Sequence, residues 1–370
     1  MGAALKSPLR QAASEEQALE EFHARGWTDG LPVVIPTPAR VERMLLAGGL
    51  DADLVLGEVG PSYAAASVEK VAVNAVMAGC LPDYFPVVIA AVRAVCEETF
   101  DLGVVQSTTH ALAPVIIVNG PARAACGIAS GWGALGPGHR ANASIGRALR
   151  LVMTNIGGAQ PGVTDMAVLG QPGKFTCCLG EAEESSPYAP LHVSRGLAAE
   201  QSAVTVVGVE APHSVIASPD GDDPDGPERI VRVIAGAIAN AGSNSTYGGR
   251  GTTLVALNPN HARMVARRYA TREALQQRLH ELAVTPKSVL AQYSGASGRN
   301  VNNPAGDEVV HAIAAPEKVV IVVAGGEGIY SAVFNTWGGG QHHVLPATRE
   351  IALNEFCELP ADRQAAKTKG

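Results

Sequence analysis

Alternating apolar helices and unbroken β-branched strands predict an α/β protein with largely parallel sheets covered by helices on both faces. Three observations carry that expectation. The runs PVIIVNGP (114–121), TTLVALNPN (252–260) and KVVIVVAGGEG (318–328) are short, apolar and stopped by Asn, Gly or Pro, as buried strands are. Helical patterns flank them, and the one at about 86–99 is apolar on nearly every side, which places it in the interior. Aromatic residues make up only 4% of the chain while glycine reaches 41, so small side chains must pack helix against sheet.

Taken in order, residues 1–25 read as a charged helical lead-in. A first α/β half is expected over 26–200, a second over 201–350, and a tail over 351–370. Pro32, Pro36 and Pro38 hold an extended segment ahead of a helix at about Ala39. Ser67 is placed to cap a helix running to about Gly79, and Pro82 and Pro86 separate it from the next. A glycine-rich loop, GIASGWGALGPGHR, leads into a helix capped by Asn142 or Ser144 and ended by Gly157-Gly158. The order helix, small polar connector, strand, Asn, Ala-Arg then recurs. Asn119 with Ala122-Arg123 and Asn258 with Ala262-Arg263 occupy matching places. A duplicated αβα unit explains this, and so does the common grammar of α/β chains.

With 370 residues the chain is long enough for two domains or one large unit. A net charge of −7 and few aromatics argue against a nucleic-acid partner. The first residues carry no apolar leader, and no apolar run reaches membrane-spanning length, so a cytoplasmic protein is expected. The six cysteines, at 80, 96, 126, 177, 178 and 357, follow no disulfide framework and read as reduced thiols. The acidic stretch 218–228 lacks calcium-loop spacing and reads as an exposed loop.

Chemistry concentrates in a few places. His139, Arg140 and Asn142 stand where the glycine loop enters a helix, whose N-terminal amides and dipole favour an anion. Arg147, further along, adds a fork for a carboxylate or phosphate. Cys80 lies near a helix C-terminus, which raises a thiol pKa, so a buried structural cysteine is the simpler reading and a nucleophile the sharper one. Cys177 and Cys178 alternate across a short strand, one toward the core and one toward a cleft, with Lys174, Glu181 and Glu183 nearby as acid–base groups. Ser67 and Lys70 have the Ser-x-x-Lys spacing, though an N-cap and a solvated lysine explain them as well. His342 and His343 point to opposite sides of an extended segment. With His110 and His139 they offer a metal site of unsupported spacing. No nucleotide fingerprint occurs, so no organic cofactor is expected.

The stretches GWTDGLPVV, VEKVAVNAVMAGCLPDYFPVV, VNGP, GPGHRANASIGR and LGQPGKF resemble a bacterial family without an assigned reaction. Its members are sometimes joined to, or found beside, a domain with a Sec/Cys-Gly-Ser-Cys motif, itself loosely similar to glycine and D-proline reductase components. The resemblance spans about 26–345 and implies a thiol or selenol protein partner, although the tetrad is missing from this chain.

These readings converge on a cytoplasmic enzyme for a small anionic substrate, a carboxylate, of lyase or hydrolase type. Its pocket is expected at the carboxyl edge of the sheets. Arg140, Arg147 and His139 would hold the anion, Asn119, Asn142 and Asn258 would fix polar groups, and Cys80 would react with help from Cys178, Lys70 or His343. A thiol-linked reductase component and a non-catalytic small-molecule binding protein are the alternatives. Close packing of small-residue helices also fits a homo-oligomer.

Overall fold

The computed structural model describes residues 5–294 and 308–353. The chain enters through α1 (Glu15–Ala24), α2 (Pro38–Gly48), the hairpin β1 (Val55–Val59) and β2 (Ala64–Ser67), α3 (Val68–Met77), α4 (Phe85–Val95) and α5 (Leu102–Ser107). Then come β3 (Ala113–Asn119), α6 (Ala122–Cys126), α7 (Arg140–Asn155), β4 (Cys178–Gly180), α8 (Leu191–Ser194), β5 (Ala203–Val209) and β6 (His213–Ile216). The remainder is α9 (Gly226–Ile238), α10 (Asn244–Gly248), β7 (Thr253–Leu257), α11 (Pro259–Ala266), α12 (Arg272–Leu282), β8 (Val284–Pro286), α13 (Lys287–Ser294), β9 (Val309–His311), β10 (Val319–Val323), β11 (Tyr330–Phe334) and β12 (Ala347–Glu350). Cys357 lies outside the described residues.

Strands β3, β4, β5, β7 and β10 are buried on both sides, and their alternation sorts the core into layers. Val115 and Ile117 of β3, Leu179 of β4 and Val207 and Val209 of β5 pack on Leu254, Ala256, Val320, Val322 and Phe334 of the second sheet. The intervening residues Ile116, Val118, Cys178, Val204 and Val206 face the opposite way, into the apolar helices α3, α4 and α7. On the far side Val255, Leu257, Val319, Ile321 and Val323 meet α9, α11 and α12. The result is four layers, helices, sheet, sheet, helices.

The expectation of largely parallel sheets is corrected. The first large sheet runs β12-β5-β3-β4 and the second β10-β7-β11-β6. Only β3–β4 and β7–β10 are parallel; the other pairings in both sheets are antiparallel. Parallel neighbours need a long crossover. The chain supplies one through α6 and α7, and another through α11 to α13. The step from β4 to β5 has only the single turn α8, and β5 enters antiparallel to β3.

Both sheets share one sequence of orientations: a parallel pair, an antiparallel third strand, and an antiparallel edge strand. The edge strands are exchanged. β6 follows β5 in the chain but pairs with β11, and β12 follows β11 but pairs with β5. The ends of β4 and β10 also touch, where Ala182 N–H donates to the Val323 carbonyl at 2.7 Å. No described helix is long and apolar enough to cross a membrane.

Helix α7 leans so closely on the segment before β4 that Gly146 has no room for a side chain. A Cβ there would stand 2.7 Å from the Cys177 backbone nitrogen. Gly236, on the exposed side of α9, would meet nothing within 4 Å. Two opposite outcomes follow in urea or thermal unfolding. Gly146→Ala destabilises by about 1–3 kcal/mol through overpacking. Gly236→Ala stabilises by about 0.5–1 kcal/mol through helix propensity.

Candidate functional site: a buried cationic cluster on the long helix

Helix α7 is amphipathic in an unusual sense: its buried side carries Asn142, Ser144 and Arg150 as well as Ile145, Leu149 and Val152. Its N-terminal turn organises the glycine-rich loop. The Asn142 amide nitrogen donates to the carbonyls of Ala129 (2.9 Å), Ala134 (3.0 Å) and Cys178 (3.2 Å), and its oxygen accepts from Ala129 N–H at 2.8 Å. Asn142 is therefore fully engaged in holding the loop. The helix starts at Arg140 with His139 as N-cap, not at 142–144. His139 uses Nε2 on the Trp132 carbonyl at 3.1 Å.

About two and three turns in, the arginines take different environments. Arg147 grips Asp29 through two parallel bonds, Nε to Oδ2 at 2.7 Å and Nη2 to Oδ1 at 2.8 Å. Nη2 also reaches the Pro32 carbonyl at 2.9 Å. This fork ties the proline-rich segment 29–32 to α7. Arg150 is 6% exposed, and its Nη1 stands 4.0 Å from Asp165 Oδ2. Its Nε and Nη2 are buried and have no hydrogen-bond partner among the described residues. Asp165, also 6% exposed, is taken by Lys174, whose Nζ donates to Oδ1 at 2.8 Å and Oδ2 at 2.7 Å.

Burial pulls the Arg150 guanidinium down to about 10, against the pull of Asp165 and Asp29, so it keeps its charge at neutral pH. Lys174 is also lowered, first by burial, while its bond to Asp165 works in the other direction. Three cations (Arg147, Arg150, Lys174) thus face two carboxylates (Asp29, Asp165), leaving one buried positive charge. Asp165 belongs to the segment 158–171, mostly without regular structure. The segment is held by its own turns, by Val168 N–H on the Thr109 carbonyl, and by Gln171 Nε2 on the carbonyls of Ala111 and Val209. Val168 and Leu169 at its tip are 86% and 96% exposed.

Cys80 sits beside the N-terminal half of α7. Its Sγ is 3.3 Å from the Ser144 carbonyl, and burial pushes the thiol up to about 12 although Arg140 and Arg147 pull it down. The geometry thus brings Cys80, Arg140 and Arg147 together, but the thiol stays protonated and Arg147 is spent on Asp29. Arg140 is exposed and bonds the Gly79 carbonyl at 3.1 Å. Cys178 is buried in the helix-side core with its thiol pushed well above the ordinary value, and Cys177 is half-buried and pushed up to about 12, both by burial. Lys70 is exposed on the Ala65 carbonyl, and its backbone N–H is capped by Ser67 Oγ at 3.3 Å.

The two strand-end asparagines are buried structural pins. Asn119 donates to Glu181 (2.6 Å) and Glu183 (2.9 Å), and Glu181 also accepts from Leu191 N–H and Arg272. Burial raises the Glu181 carboxyl. Asn258 caps α11 and donates to the Tyr330 carbonyl at 2.8 Å. Beside it, His261 Nε2–H donates to the Ala217 carbonyl, so Nδ1 accepts the Ser331 hydroxyl at 2.7 Å. His343 bonds the Gly338 carbonyl and His342 bonds Asp101, while His110 pairs with Glu210 at 2.8 Å. The four histidines serve separate partners. Among the described residues no group of three or more His, Cys, Asp or Glu is arranged to hold a metal.

Sequence reasoning passed over Arg150 and Asp165. Arg150 stood inside an apolar stripe and was overlooked for Arg147. Asp165 lies in a segment without periodicity. The usable signal was spacing: Arg147 and Arg150 are three residues apart and share one side of the helix. Comparison with protein-family models and with curated proteins finds no match to this chain.

The burial of the thiols has a direct readout. In native protein at pH 7–8, iodoacetamide followed by mass spectrometry leaves Cys80, Cys177 and Cys178 unmodified on the timescale that labels a free surface thiol. Rapid alkylation of Cys80 would restore it as a nucleophile.

Proposed function

We propose that the protein is an enzyme acting on a small carboxylate, of lyase or hydrolase type, at the cluster of Arg150, Lys174 and Asp165. The observation that carries the reading is the unpartnered Nε–Nη2 edge of a buried, charged Arg150. A buried cation without a counter-charge is costly, and structures retain such groups where a ligand completes them. The guanidinium edge matches the two oxygens of a carboxylate, as its neighbour Arg147 demonstrates on Asp29.

In this reading Lys174 Nζ is the acid–base group. Burial brings its proton within easier reach than that of a solvated lysine, and Asp165 orients the ammonium. The substrate enters when segment 158–171 moves aside, and closure excludes water. The thiols contribute packing, so cysteine chemistry and exchange with a thiol partner find no support in their burial. The common strand order of the two sheets supports a duplicated unit whose last strands have been exchanged.

Thermal unfolding with and without carboxylates tests the reading. Acetate or propanoate raises the midpoint of the wild type, by about 2.7 kcal/mol of stability at a hundred times Kd. Arg150→Gln abolishes that response. Because it removes an uncompensated buried charge, it leaves the ligand-free midpoint equal or higher. A carboxylate response that survives Arg150→Gln, or none in the wild type, defeats the proposal.

A further inference from the structure

We propose that Asp165 is a specificity-determining residue that restricts the site to ligands bringing a single carboxylate. The inference rests on the reading of Arg150 as the anchor of that carboxylate. It follows from how the donors of the cluster are shared out. Both Asp165 oxygens accept from Lys174 Nζ, at 2.8 and 2.7 Å, and Oδ2 is the atom nearest to Arg150 Nη1. Asp165 therefore occupies the lysine and faces one end of the guanidinium. What remains is one fork, Nε with Nη2, and one unit of positive charge.

A ligand with one carboxylate matches both quantities: two oxygens for two donors, one negative charge for one positive. A second carboxylate on the same ligand would meet Asp165 on the lysine and bury a net negative charge, which like-charge repulsion and desolvation oppose. Asp165 lies between Gln160, whose carbonyl accepts Asp165 N–H at 3.0 Å, and Ala167, whose N–H donates to Oδ1 at 3.2 Å. The segment 158–171 thus carries its own carboxylate into the cluster, in the place a second ligand carboxylate would claim.

Replacing the carboxylate by its amide reverses the preference. Asp165→Asn keeps the side-chain size, removes one negative charge and frees Lys174 Nζ, so the cluster then offers two cationic groups. The experiment measures the affinity of the full chain for acetate, propanoate, malonate, succinate and glutarate by calorimetry or thermal shift. Wild type is expected to prefer the monocarboxylates at least tenfold. Asp165→Asn is expected to prefer the dicarboxylate of matching span by a similar factor. Lys174→Gln is a second variant should Asp165→Asn fail to fold. It releases Asp165 to compensate Arg150, and monocarboxylate affinity falls at least tenfold.

Wild type that binds dicarboxylates as well as monocarboxylates overturns the inference and leaves the carboxylate site standing. So does an Asp165→Asn protein with unchanged preference, or Lys174→Gln with undiminished monocarboxylate affinity. Wild type that binds no carboxylate overturns the functional reading itself, and this inference with it.

Discussion

The inner strands β3, β5, β7 and β10 are buried on both faces, and the placement of many polar groups follows from that constraint. Val115, Ile117, Val207 and Leu254 meet sheet to sheet, and Ile116, Val118 and Val206 meet the helices. Those four strands leave no face for charge, and several buried polar side chains gather at strand ends and helix junctions, where backbone groups need partners. Asn119, Asn142 and Asn258 are buried there and each satisfies several neighbours. Arg150 keeps an open donor edge, as the buried Gln106, His192 and Arg123 Nε do, whereas Arg147 spends its fork on Asp29. That contrast separates it from a merely structural arginine such as Arg147.

The layers were legible because they depend on period and composition. The β-branched runs ending at Asn119 and Asn258 are strands, and the all-apolar stretch near 86–99 is an interior helix, ending at Val95. Strand direction was not legible, since an apolar run reads the same whichever way it enters a sheet; β5 and β11 took the antiparallel places. The N-cap of α7 is His139, three residues before Asn142, because Asn142 bonds carbonyls in the loop before it instead of capping the helix. A side chain's choice between a local cap and a distant carbonyl is settled by tertiary contact.

The site was half legible for a similar reason. A fork-bearing helix entered from a glycine loop is read from residue type and spacing, and the structure has it as α7. Which arginine remains uncommitted depends on Asp29, 118 residues away in the chain from Arg147. Cys80 shows the converse. Its neighbours are the expected arginines, yet desolvation outweighs them and the sulfur stays a thiol. Proximity to positive charge activates a cysteine only where water or hydrogen bonding sustains the thiolate.

The exchanged edge strands bear on how the chain is made. Until β12 is made, β5 has a bare flank, because this partner strand follows β11, far along the chain. A row of unsatisfied peptide groups on a nascent chain invites pairing with a neighbouring polypeptide. Completion of this sheet therefore waits on residues 347–350, and a truncation just before them leaves the edge of β5 uncovered.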